Sequence, residues 1–393
     1  MNILHTVESY DPSTGGMQEV VKQLSEYLVK RGHKVTVATS RHPNRESHLI
    51  NGVMIRDFAI SGNSVTGMKG DIQSYQDFLL RSDFDIITNF AAQQWATDLM
   101  LPLLNDVRGK KVFVPTGFSA LHLPEYSEYF ECMIERMKQY DMNVFLSDTY
   151  QDITFARKNG VKKITLIPNG ASELEFNRQE NTNIRKNWGI PANQFLILHV
   201  GSHTGSKGHA EAIEIFRRAD LKNTTFVIVG NVFSRYCYFL CKFKELLFLI
   251  NPMNQLRNKH LLIRSLTRME TVSLYKTSDL FLFPSNIECS PIVLYECMAS
   301  KTPFLTADVG NAQEIVAWSG AGMILPTTKD KSGYSHVNIA QSARMLEDLY
   351  YDTSRRAMMQ DNGFKTWQEK FSWEKIAQMY EEMYGSLLWG DVS

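Results

Sequence analysis

The feature that most narrows the fold is an alternation of short apolar runs with helical patterns, which begins at the first residues, pauses near residue 170 and begins again near residue 195. From Asn2 to Val7 the chain reads as a buried strand, followed by the turn-rich SYDPSTGG and then by Met17, Val20, Val21, Leu24, Tyr27 and Leu28 at helical spacing. Gly32 is placed to end that helix, and KVTVA at 34–38 reads as the next strand, which completes a βαβ unit. DIITN (85–89), KVFV (111–114), MNVFL (142–146) and ITLI (164–167) continue the series. After IPNG at 167–170 comes the polar stretch SELEFNRQENTNIRKN, whose composition suits a connection. The second series is FLILHV (195–200), FVIVG (226–230), LLI (261–263), LFLF (280–283), PFLTA (303–307) and MIL (323–325). The expectation is an α/β protein of two Rossmann-like domains facing across a cleft, with bounds 1–171 and 172–372 and a last segment at 373–393. Ligands of such sheets bind beyond the carboxyl ends of the strands, so the loops there are the place to look.

Composition removes several function classes. Forty-two basic residues balance forty-two acidic ones, so no global field recruits nucleic acid. The five cysteines, Cys132, Cys237, Cys241, Cys289 and Cys297, follow no zinc or disulfide spacing and suit free thiols in a reducing cytoplasm. The start of the sequence has no basic and apolar signal pattern, and no run approaches the roughly 18 apolar residues of a membrane span. A cytoplasmic protein is expected.

The densest chemistry lies in PSNIECSPIVLYECMAS at 284–300, directly after an apolar strand. Ser290 as N-cap and Pro291 as first helical residue predict a helix to about Ser300. Its free amides would be those of Ile292 and Val293, a site for phosphate. Glu288 precedes this helix and Glu296 lies roughly one and a half turns inside it, so the two carboxylates could hold different parts of one extended ligand. A dipole partner and a solvated side chain are the plain reading of the same spacing; a glycosidase pair is another, against which the phosphate-ready helix start argues.

HVGSHTGSKGH at 199–209 is a second strand-to-glycine-loop element, with Lys207 at its rim, though it is no P-loop. His199, His203 and His209 fit no helical metal spacing. Gly15-Gly16 offers a close backbone approach to a phosphate, or a plain tight turn. Asp83 and Asp85 have a D-x-D form but open a strand, and are read as strand punctuation. No metal site is expected.

Together these motifs resemble the family-4 retaining glycosyltransferases of GT-B fold, nearly end to end. The family's E-x7-E element resembles Glu288 to Glu296, its G-x5-K-G loop resembles Gly201 to Lys207-Gly208, its glycine pair resembles Gly15-Gly16, and its C-terminal helix crossing back to the first domain resembles FSWEKIAQMYEEMY at 371–384. The resemblance implies a nucleotide-diphosphate-sugar donor, no cofactor and no divalent metal, with retention of anomeric configuration. Glu288 would hold donor-sugar hydroxyls, Glu296 the ribose, and Lys207 the diphosphate, helped by the amides of Gly16, Ile292 and Val293; Glu288 and Lys207 would be catalytic. Two departures stand out: Ser202 replaces the family's usual arginine, and Thr116 in VPTGFSALH stands where a histidine is common, with His122 nearby. Arg264, after the 261–263 strand, is the candidate for the base.

The acceptor implied is a glycan or lipid-linked glycan of cell-surface polysaccharide or lipopolysaccharide synthesis. FSRYCYFLCKFKELLFLI at 233–250 carries Arg235, Lys242 and Lys244 against Glu245 among apolar residues. It reads as a helix packed on its own sheet, or as a basic amphipathic face for peripheral contact at the inner face of a membrane. A sugar-nucleotide epimerase on the same fold, or a catalytically silent nucleotide-sugar-binding subunit, are the alternatives in function; an exported two-lobed solute-binding protein lacks the required signal.

Overall fold

The computed structural model describes residues 1–178 and 184–390. The chain forms two compact units, Met1–Asn169 with Trp373–Ser393, and Gly170–Ser372.

In the first unit the strands are Asn2–Thr6 (β1), Lys34–Ser40 (β2), Leu49–Ile50 (β3), Val53–Phe58 (β4), Ile60–Asn63 (β5), Gly67–Gly70 (β6), Ile86–Phe90 (β7), Lys110–Val114 (β8), Met142–Phe145 (β9) and Ile164–Leu166 (β10). Eight of them form one sheet in the order β10, β9, β8, β7, β1, β2, β4, β3, while β5 and β6 pair as an antiparallel hairpin. All pairs in the large sheet are parallel except β3 with β4. Parallel strands covered on both faces must be apolar throughout, and β7 is buried at every residue. The helix Gly16–Lys30 ends in a Schellman motif: Gly32, at φ 91°, donates to Val29 O and His33 donates to Leu28 O. Only glycine takes that φ without strain, which is why the sequence stops the helix there.

The C-terminal helix Trp373–Trp389 belongs to this unit and is fastened by an arginine ion pair, a histidine–carboxylate hydrogen bond and a buried hydroxyl chain. Arg31 bonds Glu374 at 2.6 Å, His33 bonds Glu381 at 2.7 Å, and Tyr384 meets Thr88 at 2.7 Å. His5, fully buried between Ser25 and Tyr384, is driven down to about 3 by desolvation.

The second unit carries Phe195–Val200 (β11), Thr224–Val229 (β12), Lys259–Arg264 (β13), Leu280–Phe283 (β14), Phe304–Thr306 (β15) and Gly322–Ile324 (β16), all parallel, in the order β13, β12, β11, β14, β15, β16. A small hairpin of Thr327–Lys329 (β17) and Ser335–Val337 (β18) follows. Within the polar stretch read as a connection, Phe176 and Ile184 are buried in this unit's core; its residues 179–183 lie outside those described. The chain enters and leaves the unit side by side, with Ala171 N–H donating to Phe371 O and Trp367 Nε1 donating to Ala171 O, both at 3.0 Å.

Candidate active site

The strand order of the second unit reverses between β11 and β14, so the loops leaving these neighbouring strands open side by side, the place where such sheets bind ligands. The two loops are 201–208 and 284–291. They are stitched together by backbone: Asn286 N–H donates to Ser206 O at 3.0 Å. Gly208 caps the next helix in the left-handed region at φ 69°, and a Cβ there would stand 1.9 Å from Pro284 O, so glycine alone permits this approach.

The stitching places Lys207 against Glu288, Nζ to Oε1 at 2.7 Å, with Ser285 Oγ donating to the same oxygen at 2.8 Å. The family resemblance implies different parts of a ligand for these two residues; the structure joins them as an ion pair. Lys207 is 28% exposed and Glu288 12%, so the pair stands at the surface of the loops within reach of a solute. An anion arriving at these loops would compete with Glu288 for the ammonium.

The helix after Glu288 runs Ile292–Ala299, with Pro291 rather than Ser290 as its N-cap. Pro291 at ψ 109° is still extended, which corrects the expected start by one residue. Leu294 N–H closes on Pro291 O at 3.1 Å, leaving Ile292 and Val293 as the first two helical amides, the orphan donors of a helix start. The preceding loop is pinned from the far side by Asn311 N–H to Cys289 O at 2.9 Å.

Glu296 lies inside this helix and is 3% exposed. Arg268 Nη1 holds its Oε1 at 2.6 Å, and the same guanidinium grips Glu175 at 2.6 and 3.1 Å. Burial raises the Glu296 carboxyl above its usual range; Arg268 opposes that shift. Desolvation and the nearby Glu296 push the buried Tyr275 hydroxyl well up. Sequence reasoning missed both Arg268 and Glu175. One signal was legible: Thr267 and Glu270 make a capping box that starts the helix Arg268–Thr277, which sets Arg268 at its first position.

Arg264, the candidate for the base, ends β13 and donates to Glu245 Oε1 at 2.6 Å while its guanidinium lies 5.1 Å from the Trp188 ring centroid. Ser202 is half-buried beside Gly201 in the lysine loop. In the first unit, Gly16 is the first residue of its helix, exposed, with nothing within 4 Å of where a Cβ would be. Thr116 takes φ 58° in a loop that Asp152 and Gln151 clasp, Asp152 accepting from Gly117 N–H at 2.9 Å; His122 is exposed. Asp85 accepts from Asn2 N–H at 2.6 Å and thereby ties strand ends together.

The histidine motif departs from its sequence reading. His203 and His209 stack at 4.4 Å; from the helix Arg235–Ile250, Cys237 Sγ comes against both and Cys241 joins His203 and Cys237. Burial lowers His199 to about 4 and His209 to about 2, so both are neutral. Sequence spacing hid this group because the histidines and the cysteines are 28 or more residues apart.

Two family models match the chain, glycosyltransferase family 4 over residues 14–173 and glycosyl transferases group 1 over residues 180–366. An uncharacterized glycosyltransferase of Methanocaldococcus jannaschii is 26% identical across 98% of both chains. N-acetyl-α-D-glucosaminyl L-malate synthase of Bacillus anthracis is 22% identical over 97% of this chain and 96% of its own. Among solved structures, Anabaena HepE in complex with UDP-glucose has a TM-score of 0.75 at 18% identity, covering 98% of this chain and 100% of its own, a likeness of fold. The two parallel sheets, the matching models and these relatives agree: the chain belongs to the family-4 glycosyltransferases, with two Rossmann-like units of the GT-B fold.

Proposed function

We propose that this glycosyltransferase transfers a sugar from a nucleotide-diphosphate donor to a glycan or lipid-linked acceptor with retention, without a divalent ion at the diphosphate, in cell-surface polysaccharide or lipopolysaccharide synthesis. The observation that carries the reading is the Lys207–Glu288 pair beside the helix start at Ile292. A leaving diphosphate gains negative charge in the transition state. Lys207 and the amides of Ile292 and Val293 are fixed donors for that charge, and fixed donors need no reorganisation as it develops. Glu288, freed from Lys207, orients the donor sugar. Glu296 takes the ribose through the oxygen that Arg268 does not hold. The UDP-glucose bound by HepE supports the donor class.

The test is incubation with a panel of nucleotide sugars and lipid or glycan acceptors, reading nucleoside diphosphate release and the product's anomeric configuration by NMR. Acceptor-dependent release with retained configuration is expected. Inversion, or conversion of the donor to an epimer without acceptor, would overturn the reading.

A membrane-borne acceptor has its own support. On the helix Arg235–Ile250 only Cys241 and Phe248 are buried, while Phe233, Tyr236 and Phe239 upstream and Leu249 and Leu256 downstream are each more than 60% exposed. Arg235 and Lys244 lie among them. An exposed apolar stretch of this size next to cations fits an anionic bilayer surface. No described helix is long and apolar enough to cross a membrane. Co-sedimentation with anionic liposomes that is lost in Phe239→Glu/Leu247→Glu is expected; equal sedimentation of the variant would remove the proposal.

A further inference from the structure

The lysine loop and the helix Arg235–Ile250 meet at a cluster that the transferase reading leaves unused. His203 Nδ1 lies 3.7 Å from Cys237 Sγ, and His209 Nδ1 lies 4.0 Å from the same sulfur. The donor atoms of His203, Cys237 and Cys241 all fall within 4.8 Å of one another. His203 and Cys241 are buried and Cys237 is half-buried.

His209 Nε2 faces Gly201 O at 3.0 Å, and a carbonyl only accepts, so Nε2 donates and Nδ1 is the ring atom turned to Cys237. His203 Nδ1 faces the same sulfur, and its Nε2 is buried with no hydrogen-bond partner among the described residues. A cation placed among His203, Cys237 and Cys241 would take lone pairs from one imidazole and two sulfurs. The His209–Gly201 bond is also the outer hydrogen bond that metal-bound imidazoles characteristically make.

The ligands are held before any ion arrives. His203 N–H donates to Asn231 O at 2.9 Å, and Ser234 N–H donates to His203 O at 2.6 Å, tying the loop to the helix that bears the cysteines. Cys237 and Cys241 are four residues apart on that helix and so share one face. Two sulfurs and an imidazole this close together suit zinc, whose sulfur ligands stand about 3.8 Å apart at bond lengths of about 2.3 Å.

We propose that His203, Cys237 and Cys241 bind one structural zinc ion, and that a shift of the His209 ring, whose Nδ1 lies 4.0 Å from Cys237 Sγ, brings in the fourth ligand. The ion fastens the loop carrying Lys207 to the helix Arg235–Ile250. It sits on the loop's inner side and takes no part in the transfer chemistry, so its test is independent of the transferase reading.

The experiment loads the full-length reduced protein with zinc or with cobalt, removes free metal by dialysis, and measures metal per chain and the cobalt spectrum. One zinc per chain, and visible tetrahedral cobalt bands with a thiolate charge-transfer band, are expected. Both should be lost in Cys237→Ser/Cys241→Ser and kept in Cys132→Ser. In the wild type, zinc should also shield Cys237 and Cys241 from alkylation, read by peptide mass spectrometry, a measurement that needs no variant to fold. No retained zinc, an octahedral cobalt spectrum, equal retention in the double variant, or unshielded cysteines would overturn the proposal.

Discussion

Arg268→Ala tests the electrostatic frame of the site. Glu296 is almost fully buried, and its charge is tolerated because a guanidinium lies 2.6 Å away. Breaking a fully buried pair from one side costs roughly 3–5 kcal/mol. The Arg268 side chain is 36% exposed, so water relieves part of this, and about 2 kcal/mol is expected near pH 7.5. The loss should depend on pH with a definite sign. Burial already raises the folded Glu296 carboxyl above its ordinary 4.5, and removing Arg268 raises it further. The folded variant then holds a proton that the unfolded chain has released, so stability is present below 4.5 and lost as pH climbs through the raised folded value. That window contributes at most about 1.4 kcal/mol per pH unit. Urea unfolding of wild type, Arg268→Ala, Glu296→Gln and the double variant from pH 5 to 8 gives the cycle. The wild-type to Arg268→Ala gap should widen with pH, and Glu296→Gln should close most of it. A pH-independent gap, or no relief from Glu296→Gln, would refute the reasoning.

Lys207→Ala should slow turnover by about 10²-fold, the order expected on losing one charge-stabilising donor, with folding retained by circular dichroism. Gly208→Ala places a Cβ 1.9 Å from Pro284 O at φ 69°, and should destabilise by about 2 kcal/mol or more in urea unfolding. Acid should weaken the fold through its buried histidines: His5 is held at about 3 and His199 at about 4, below the ordinary 6.5, so the stability they give is present above 6.5 and lost as pH falls toward those values. His5→Gln should flatten the fall in unfolding midpoint between pH 6.5 and 4, and an unchanged slope would contradict the assignment.

Much of the frame was legible because parallel strands buried on both faces leave unbroken apolar runs, as in Phe195–Val200 and Leu280–Phe283. The half-exposed Val53–Phe58 strand and the two hairpins leave no such run and were missed. At the site, Lys207, Glu288 and Glu296 carried local signals, namely a glycine loop and a proline-marked helix start. What those residues touch did not. Arg268 reaches Glu296, and Glu175 reaches Arg268, from other elements, and His203 meets Cys237 across 34 positions, so only the folded sheet brings them together. Helix 235–250 shows the converse, since its apolar composition was plain but which face met the sheet depended on where β13 lay.

The account stands most directly on donor binding at the Lys207 loop. Thermal unfolding of the wild type and Lys207→Ala should be followed with UDP, GDP, ADP, CMP and their sugar conjugates, where a ligand at 100 times its dissociation constant adds about 2.7 kcal/mol. One nucleotide diphosphate class should stabilise the wild type, and the lysine variant should respond less. Stabilisation by none of them, or an equal response in Lys207→Ala, would contradict the assignment of this loop as the diphosphate site.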